Sequence, residues 1–430
     1  MPTSSRRKFL KQFGAAASAV AAPMLVPASA LGLDGNVSPG ERINLGLIGC
    51  GGRAADVIRS FLGEKDVQWR AVCDVRADRV RGFKQRVDDH YGAAECSTYG
   101  DFREMIARPD IDAVYIATGL HWHAMLSIMA ARAGKDVFSE KPVCLTVAEG
   151  RAICDTMKRY GTVYQAGHQR RSVDSFRFMA EVVRKGMIGK LERIVMQVWE
   201  NGIVGPSPVK PVPAGFDYEM WLGPTPWHPY TDARVNGRSY FWDTGGGMAV
   251  DMGCHWTDTA QFVRQTDDTT PVRCEGSANF DRNAFSDNPI NGDWTATYAD
   301  GVKLIMRQHG GFDERNIRFE GSEGWIQLVD ATNAVTAQPA SILKARSINP
   351  RGWGDAGDHV RNFLDCIKAR NPMTTCHPES AHRATTIGHL GNICWRLGRP
   401  IDFDPVAERI PNDPDADRLL SRAQRAPWLL

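Results

Sequence analysis

The chain has 430 residues, with 52 lysines and arginines against 50 aspartates and glutamates, and a formal net charge of +2. This length is enough for two domains but not for many more. The balanced charge argues against a nucleic acid or an anionic membrane surface as the partner.

The first 30 residues, MPTSSRRKFLKQFGAAASAVAAPMLVPASA, have the layout of an export signal. Arg6 and Arg7 precede a mild alanine-rich apolar stretch that ends in the small residues Ala28-Ser29-Ala30. The paired arginines make the segment similar to a twin-arginine signal, and its apolar stretch is too short to remain as a membrane span. We therefore expect residues 1–30 to be removed and the mature protein, near −2 in net charge, to be periplasmic with no membrane span.

The ten cysteines are scattered singly along the chain, and several lie in apolar surroundings. No C-x-x-C pair occurs, so neither a zinc ribbon nor a thioredoxin-type site is predicted. A protein folded in the reducing cytoplasm before export would keep buried thiols, and we expect the cysteines to be mostly free.

Strand and helix patterns alternate through the first part of the mature chain. The continuous apolar runs INLGLIG at 43–49 and IDAVYIAT at 111–118 predict strands that are covered on both faces. Further strands are predicted at 67–75, 136–140 and 162–167, with helices between them. This alternation is typical of a doubly wound parallel sheet. We assign residues 41–167 to an N-terminal Rossmann domain of the α/β class.

The pattern changes after residue 168. A stretch rich in proline, glycine and aromatic residues covers 201–247, and alternating segments at 294–309 turn at Ala299-Asp300-Gly301. Such alternation around a short turn predicts an antiparallel hairpin, and two helices are predicted at about 357–369 and 379–397. We assign residues 168–430 to an α+β domain with a large open antiparallel sheet.

A glycine cluster follows the first predicted strand. Gly49-Cys50-Gly51-Gly52-Arg53-Ala54 satisfies G-x-G-x-x-G/A, in which the second glycine lets the backbone approach a pyrophosphate. Asp74 ends the second strand, where an acid that binds the ribose hydroxyls belongs, although a simple turn acid fits the position too. The order of these features predicts an NAD site, and Arg76 and Arg79 leave NADP open.

Two further segments offer catalytic side chains. In SEKPV, Lys141 lies just after a predicted strand and is placed to donate to a substrate hydroxyl, although a surface Glu-Lys turn stopped by the proline is the better interpretation of the tripeptide taken alone. In GGGMAVDMGCHWTDTAQF, a helix from Met248 onward would place Asp251, His255 and Asp258 on one face. A carboxylate one turn from an imidazole suits a general base, and a hydrogen-bonded core histidine is the alternative. No third ligand joins Asp251 and His255, so no metal site is predicted.

The HWH tripeptide follows the strand at 111–118. His121 and His123 suggest cofactor or substrate contacts rather than a metal, with Trp122 packed beneath. Thr118, at the end of that strand, and Glu140, beside the motif lysine, complete the predicted cofactor contacts.

A glycine-rich turn, an EKP tripeptide and a later D-x-x-x-H segment, in this order, make the chain similar to the Gfo/Idh/MocA family of sugar and cyclitol oxidoreductases. The resemblance covers nearly all of residues 41–400, with Ala54 in place of the third glycine. It implies that residues 168–430 bind substrate and form a homo-oligomer through the open sheet. Lys141 matches the motif lysine of the family, and Asp251 and His255 match its later pair, which makes these three the implied catalytic residues.

The leading hypothesis is an NAD(P)-dependent oxidoreductase that transfers a hydride to or from a hydroxyl carbon of a sugar, cyclitol or glycoside. His255, oriented by Asp251, would take the hydroxyl proton while Lys141 steadies the alkoxide, and the roles of His255 and Lys141 can be exchanged. Because no pool of free NAD exists outside the cytoplasm, we expect a tightly bound cofactor. The rival hypotheses are a redox-neutral glycoside hydrolase, acting by oxidation, elimination, addition and reduction, and a catalytically silent sugar-binding protein.

Overall fold

The computed structural model describes residues 37–202, 204–311, 314–348 and 357–430. The predicted export signal lies outside the described residues. Residues 37–42 belong to a first unit, in which Pro39–Glu41 form a 3₁₀ turn, and residues 43–430 form a second unit. Among the described helices, none is long and apolar enough to cross a membrane. All ten cysteines are buried free thiols, as the sequence predicts.

The N-terminal part is built on a six-stranded parallel sheet of strand order β3-β2-β1-β4-β5-β6. The strands are β1 (Ile43–Ile48), β2 (Val67–Cys73), β3 (Ser97–Tyr99), β4 (Ala113–Ile116), β5 (Asp136–Ser139) and β6 (Tyr164–Ala166). The helices are α1 (Gly52–Leu62), α2 (Ala77–Tyr91), α3 (Phe102–Ile106), α4 (Leu120–Arg132) and α5 (Val147–Tyr160). The strand order reverses between β1 and β4, which opens a crevice at the carboxyl ends of these strands. The Rossmann fold is confirmed.

Helices cover this sheet because their apolar faces match the buried strands. In α1 the side chains of Val57, Ile58 and Phe61 are buried, and the ring of Phe61 meets that of Trp69 edge to face at 5.7 Å. The α5 helix begins at a side-chain cap from Thr146 and ends at Gly161, whose φ of 63° suits glycine. These local signals lie in the sequence, which explains why the helices were predictable.

The C-terminal part is built on an eight-stranded sheet of order β13-β12-β11-β7-β10-β9-β8-β14. Its strands are β7 (Leu191–Val198), β8 (Arg273–Asn279), β9 (Asn291–Thr297), β10 (Lys303–Gln308), β11 (Asn316–Gly321), β12 (Gly324–Val329), β13 (Ala334–Gln338) and β14 (Ile401–Asp402). The helices after β6 are α6 (Asp174–Arg184), α7 (Tyr218–Leu222), α8 (Asp232–Asn236), α9 (Gly247–Asp251), α10 (Gly253–Arg264), α11 (Gly357–Ala369), α12 (Pro378–Leu397) and α13 (Pro414–Asp417). Of these, α11 packs into the core of the Rossmann sheet.

This second sheet is mixed rather than wholly antiparallel, which corrects the prediction in one respect. The hairpin β9–β10 forms as predicted and β11–β12 is a second hairpin, but β7 lies between β10 and β11. Since β10 and β11 run in opposite directions, β7 has to be parallel to one of them, and it pairs in parallel with β10. One face of the sheet carries the core, in which Trp256 of α10 lies among buried side chains such as Leu304 and Phe319.

Candidate functional site

Two adjoining cavities occupy the crevice at the switch point of the Rossmann sheet. The first has a volume of about 180 Å³ and is lined by Gly49, Asp74 and residues of α4. The second has a volume of about 240 Å³ and is lined by Lys141 and Asp251. Gly51, Ala117, Thr118 and Arg238 line both. The carboxyl-terminal edge of a doubly wound sheet is where such folds bind ligands, so the two cavities form one candidate site.

The glycine loop has the shape that a pyrophosphate requires. Gly49 has φ of 95°, and a Cβ there would lie 2.6 Å from the carbonyl oxygen of Ala117, so only glycine fits. A Cβ on Gly51 would meet only Arg79, at 3.9 Å, and one on Gly52 would meet nothing within 4 Å. This open space lies at the start of α1, where free backbone amides attract an anion. The loop therefore fits a dinucleotide.

Asp74 links the glycine loop to the end of β2. Its carboxylate accepts hydrogen bonds from the backbone amides of Cys50 at 2.7 Å and Arg76 at 2.9 Å. Burial raises the pKa of Asp74, and these two amides offset only part of the increase. The residue still lines the first cavity, so it both fixes the loop and faces the place where a ribose would lie.

Arg76 and Arg79, which follow Asp74, differ in whether they form an ion pair. Arg76 forms an ion pair with Asp78, while Arg79 makes no ion pair with any described residue and lines the first cavity. An unpaired guanidinium beside the ribose position is compatible with a 2′-phosphate, so the side chains present accommodate either NAD or NADP.

A half-buried ion pair lines the second cavity. Lys141 Nζ donates to the backbone carbonyl of Asp251 at 2.8 Å and to its carboxylate at 2.9 Å, and Ser239 donates to the other carboxylate oxygen at 3.0 Å. Burial acts to lower the pKa of Lys141, but the Asp251 carboxylate outweighs it and the pKa is raised. Burial likewise acts to raise the pKa of Asp251, but Lys141 lowers it. The pair is therefore charged.

The expected orientation of His255 by Asp251 is wrong. The Asp251 carboxylate binds Lys141 and Ser239, and the Nδ1 atom of His255 is buried without a hydrogen-bond partner among the described residues. The helix expected from Met248 onward is also interrupted at Met252, because α9 ends at Asp251 and α10 begins at Gly253. A cationic amine attracts a buried carboxylate more strongly than a neutral imidazole does.

His255 is a neutral ring in this setting. Its imidazole meets that of His168 edge to face, with the ring centroids 5.8 Å apart. Burial lowers the pKa of His255 well below its usual value, and the cations Arg170 and Lys141 lower it further. The ring therefore resists the proton that a general base would have to keep.

Asp258 lies outside the candidate site. It is fully buried, and its carboxylate accepts from the Arg171 guanidinium at 2.9 Å. Burial raises the pKa of Asp258 although Arg171 opposes the increase. His168, Asp258 and Cys376 have the spacing of metal ligands, but Arg171 already occupies the carboxylate. The pair is structural.

The predicted cofactor contacts Arg53 and Glu140 engage each other across the site. Arg53 Nε lies 3.0 Å from a Glu140 carboxylate oxygen, which also accepts from the Tyr115 hydroxyl at 3.2 Å. Burial acts to lower the pKa of Arg53, but Glu140 raises it overall. Both residues line the second cavity beside the glycine loop. They form part of its floor as an ion pair with no net charge.

The HWH residues lie in the first turn of α4 and fasten other segments to it. His121 Nε2 lies 2.7 Å from the carbonyl oxygen of Trp221, and His123 Nδ1 lies 2.7 Å from that of Pro142. Burial lowers the pKa of His121 to about 4, and it also lowers the pKa of His123. The two neutral rings line the first and the second cavity respectively, where the sequence predicts ligand contacts.

Sequence reasoning missed the part of the site that comes from the segment 201–247. Five of its residues line the first cavity: Met220, Trp221, Val235, Asn236 and Arg238. Ser239 and Thr244 line the second cavity. The richness of this segment in aromatic residues was visible, but no motif connects it with the Rossmann crevice. Arg238 forms no ion pair with any described residue, which leaves one cation free between the two cavities.

Two family models together match most of the chain. The model of an oxidoreductase family, NAD-binding Rossmann fold, matches residues 43–168, and that of an oxidoreductase family, C-terminal alpha/beta domain, matches residues 179–430. The fold and the site are thus those of the class of oxidoreductases that use a nicotinamide dinucleotide. The chain belongs to the Gfo/Idh/MocA family, as its motifs predict.

Several similar proteins have names that refer to carbohydrates. A 1,5-anhydro-D-fructose reductase of Ensifer adhaerens is 26% identical over 57% of this chain and 64% of its own length. A glycosyl hydrolase family 109 protein of Saccharopolyspora erythraea is 37% identical over 28% of this chain and 27% of its own length. The chain thus spans less than two thirds of both curated relatives. The structure of an aldose-aldose oxidoreductase from Caulobacter crescentus, complexed with glycerol, matches 84% of this chain and 100% of that one at 20% identity, with a TM-score of 0.64.

Proposed function

We propose that the protein is an NAD(P)-dependent oxidoreductase that transfers a hydride to or from a hydroxyl-bearing carbon of a sugar, cyclitol or glycoside. The observation that carries the proposal is the charged Lys141–Asp251 pair, which lines the second cavity together with Gly51 and Gly52 of the glycine loop. Family membership supports the redox class, and the reductase relative supports a carbohydrate carbonyl as the substrate group.

The residues present fit a dinucleotide along the first cavity. Gly51 leaves space for the pyrophosphate, and Asp74 faces the ribose position. When bound there, the nicotinamide group supplies the hydride acceptor or donor. The second cavity, on the Lys141 side, is then the place for the carbon that gains or loses hydride.

The charges favour Lys141 over His255 as the group that carries the proton. The raised pKa of Lys141 keeps it protonated, so it donates to the carbonyl oxygen during reduction and must lose a proton before it accepts one during oxidation. Asp251 holds the ammonium and sets its pKa. His255 stays neutral because burial, and then the charges of Arg170 and Lys141, lower the pKa of its ring, which assigns it a hydrogen-bonding role.

The redox-neutral hydrolase remains the second candidate, and the family 109 glycosyl hydrolase relative favours it. In that cycle the hydride removed from the glycoside returns to the same molecule after elimination and water addition, so no dinucleotide is consumed. Glycoside cleavage without added NAD, with solvent deuterium entering the sugar, supports the hydrolase. Stoichiometric reduction of added NAD supports the dehydrogenase.

The direct test begins with native mass spectrometry of the purified protein, which asks whether NAD or NADP is bound and in which redox state. A substrate panel that includes 1,5-anhydro-D-fructose, aldoses and inositol is then followed by nicotinamide absorbance. Dinucleotide binding and turnover of one carbohydrate class are expected. Carbohydrate binding by calorimetry without any turnover would instead favour the silent sugar-binding protein.

The proposal extends to location and assembly. Export through residues 1–30 is supported by the paired arginines and the small residues before residue 31. Periplasmic fractionation with N-terminal sequencing tests this part, and recovery of unprocessed protein in the cytoplasm contradicts it. Light scattering tests the homo-oligomer proposed for the C-terminal domain.

A further inference from the structure

Residues 213–242, here called the covering segment, form one side of the first cavity. Met220, Trp221 and Asn236 line this cavity together with Gly49 and Asp74 of the Rossmann domain. A dinucleotide seated on the glycine loop would therefore be enclosed between the Rossmann sheet and the covering segment.

The covering segment is attached directly beside the ribose position. The backbone amide of Ala77 donates to the carbonyl of Gly215 at 2.9 Å, and the amide of Asp217 donates to the carbonyl of Val75 at 2.9 Å. These bonds begin one residue after Asp74. The Rossmann strand end and the covering segment thus share a short antiparallel bridge at Arg76 and Phe216.

A second attachment holds the covering segment to the first turn of α4. Trp122 Nε1 donates to the carbonyl of Met220 at 3.0 Å, and His121 is bonded to that of Trp221. At Gly223 the backbone has φ of 51°, and a Cβ would lie 2.3 Å from the Trp122 ring. The approach between these two elements is therefore so close that only glycine fits.

Residues 422–428, here called the clamp segment, fix the covering segment from outside. The Arg425 guanidinium donates to the Glu219 carboxylate at 2.6 Å and to the carbonyl of Gly223 at 3.1 Å, and the Arg425 amide donates to the carbonyl of Pro224 at 2.9 Å. Trp428 is 9% exposed and packs edge to face on Trp122 with the ring centroids 4.8 Å apart. The clamp segment therefore joins the covering segment to the Rossmann domain.

We propose that Glu219, Arg425 and Trp428 are positioning residues for the cofactor site, which lock the covering segment over a bound dinucleotide. The dinucleotide then leaves only after the covering segment undocks, and the enzyme keeps one cofactor through many turnovers. This inference rests on the proposed function, because it supposes a dinucleotide in the crevice. It adds that retention depends on contacts that touch neither cofactor nor substrate.

The test compares two Arg-to-Glu substitutions near the same end of the chain. Arg425→Glu replaces the attraction to Glu219 by repulsion, and we expect NADH to dissociate about tenfold faster, since interface changes act mainly on dissociation rates. Arg418→Glu is the matched control, because Arg418 is exposed and Asp415 is its one ion-pair partner among the described residues. The rate is measured by stopped-flow fluorescence after a chase with excess NAD⁺, without substrate, and is repeated with NADPH.

The double variant Glu219→Arg/Arg425→Glu distinguishes a lock from general destabilisation. Restoring the opposite charges should return the dissociation rate toward that of the wild type. Unchanged dissociation from Arg425→Glu with normal NADH binding overturns this inference alone. The inference is also overturned if the double variant releases NADH as fast as Arg425→Glu does, and if both variants lose the same thermal stability in their cofactor-free forms. Absence of NADH and NADPH binding by the wild type overturns the proposed function and this inference together.

Discussion

Lys141 Nζ lies 2.9 Å from a carboxylate oxygen of Asp251, although 110 residues separate the two in the chain. This pair joins the end of β5 in the Rossmann domain to α9, the helix that ends at Asp251. Because the carboxylate outweighs the effect of burial on the lysine, the charge on Lys141 depends on Asp251. In the proposed mechanism Lys141 carries the proton and Asp251 raises the pKa of Lys141.

Asp251→Asn should shift the pH dependence of hydride transfer to lower pH. The raised pKa of Lys141 comes from the carboxylate, so with an amide in its place burial lowers that pKa. Reduction needs the protonated lysine, and its rate falls as pH rises through this pKa. The inflection in kcat/KM for carbonyl reduction should therefore move to lower pH in the variant. Ser239→Ala removes only a hydrogen bond and serves as the comparison; identical inflections in Asp251→Asn and the wild type would contradict the assignment.

His255→Asn should retain turnover to within about tenfold, which is far less than the loss from removing a proton carrier. An amide keeps a hydrogen-bonding group at this position but cannot carry a proton. Since the pKa of His255 lies well below its usual value, the neutral ring is not the expected acid or base. Steady-state kinetics in both directions measure the effect. A loss as large as that from replacing Lys141 would instead identify His255 as the residue that transfers the proton.

Asp74→Asn should weaken NADH binding about tenfold and raise the affinity for NADPH relative to NADH. The amide keeps an acceptor for the Cys50 backbone but removes the charge that repels a 2′-phosphate, while Arg79 stays in place. Fluorescence titration of both dinucleotides gives the ratio. The control is Asp78→Asn, on the exposed partner of Arg76. An unchanged ratio would mean that Asp74 only fixes the loop.

Much of the fold was predictable because its signals are local. The buried run of β1, the glycine turn and the Gly161 end of α5 each lie within a few residues. The three-residue strand β3 and the short helix α3 were missed, since neither shows a full period of apolar residues. The parallel pairing of β7 was equally hidden, because it depends on a strand inserted between two hairpins.

The sequence predicts which residues form the site but not which of them contact each other. The sequence indicates Lys141, Asp251 and His255 but offers an i, i+4 contact as the natural partner for Asp251. The observed partner comes from the end of β5, and no spacing rule reports a contact between distant segments. The covering segment was hidden for the same reason, since it contacts Val75 and His121 through the backbone atoms of Asp217 and Trp221.

Asp258→Asn should destabilise the protein by about 3 kcal/mol without altering cofactor affinity, because it leaves the Arg171 guanidinium buried with one partner fewer. Thermal and urea unfolding measure the loss, and NADH titration of the folded variant checks the site. Asp300→Asn removes the exposed carboxylate that pairs with Arg264 and should change stability by less than about 1 kcal/mol. If Asp258→Asn instead lowers turnover at unchanged stability, Asp258 belongs to the site.

Single-turnover hydride transfer in Lys141→Met tests the central claim most directly. Enzyme loaded with NADH is mixed with 1,5-anhydro-D-fructose, or with whichever carbonyl substrate the panel identifies, and nicotinamide absorbance is followed in the stopped flow. We expect transfer to slow by about 10²- to 10⁴-fold while the Kd for NADH stays at the wild-type value. Lys185→Met, on the exposed surface of α6, should match the wild type. Transfer at the wild-type rate in Lys141→Met would contradict the account.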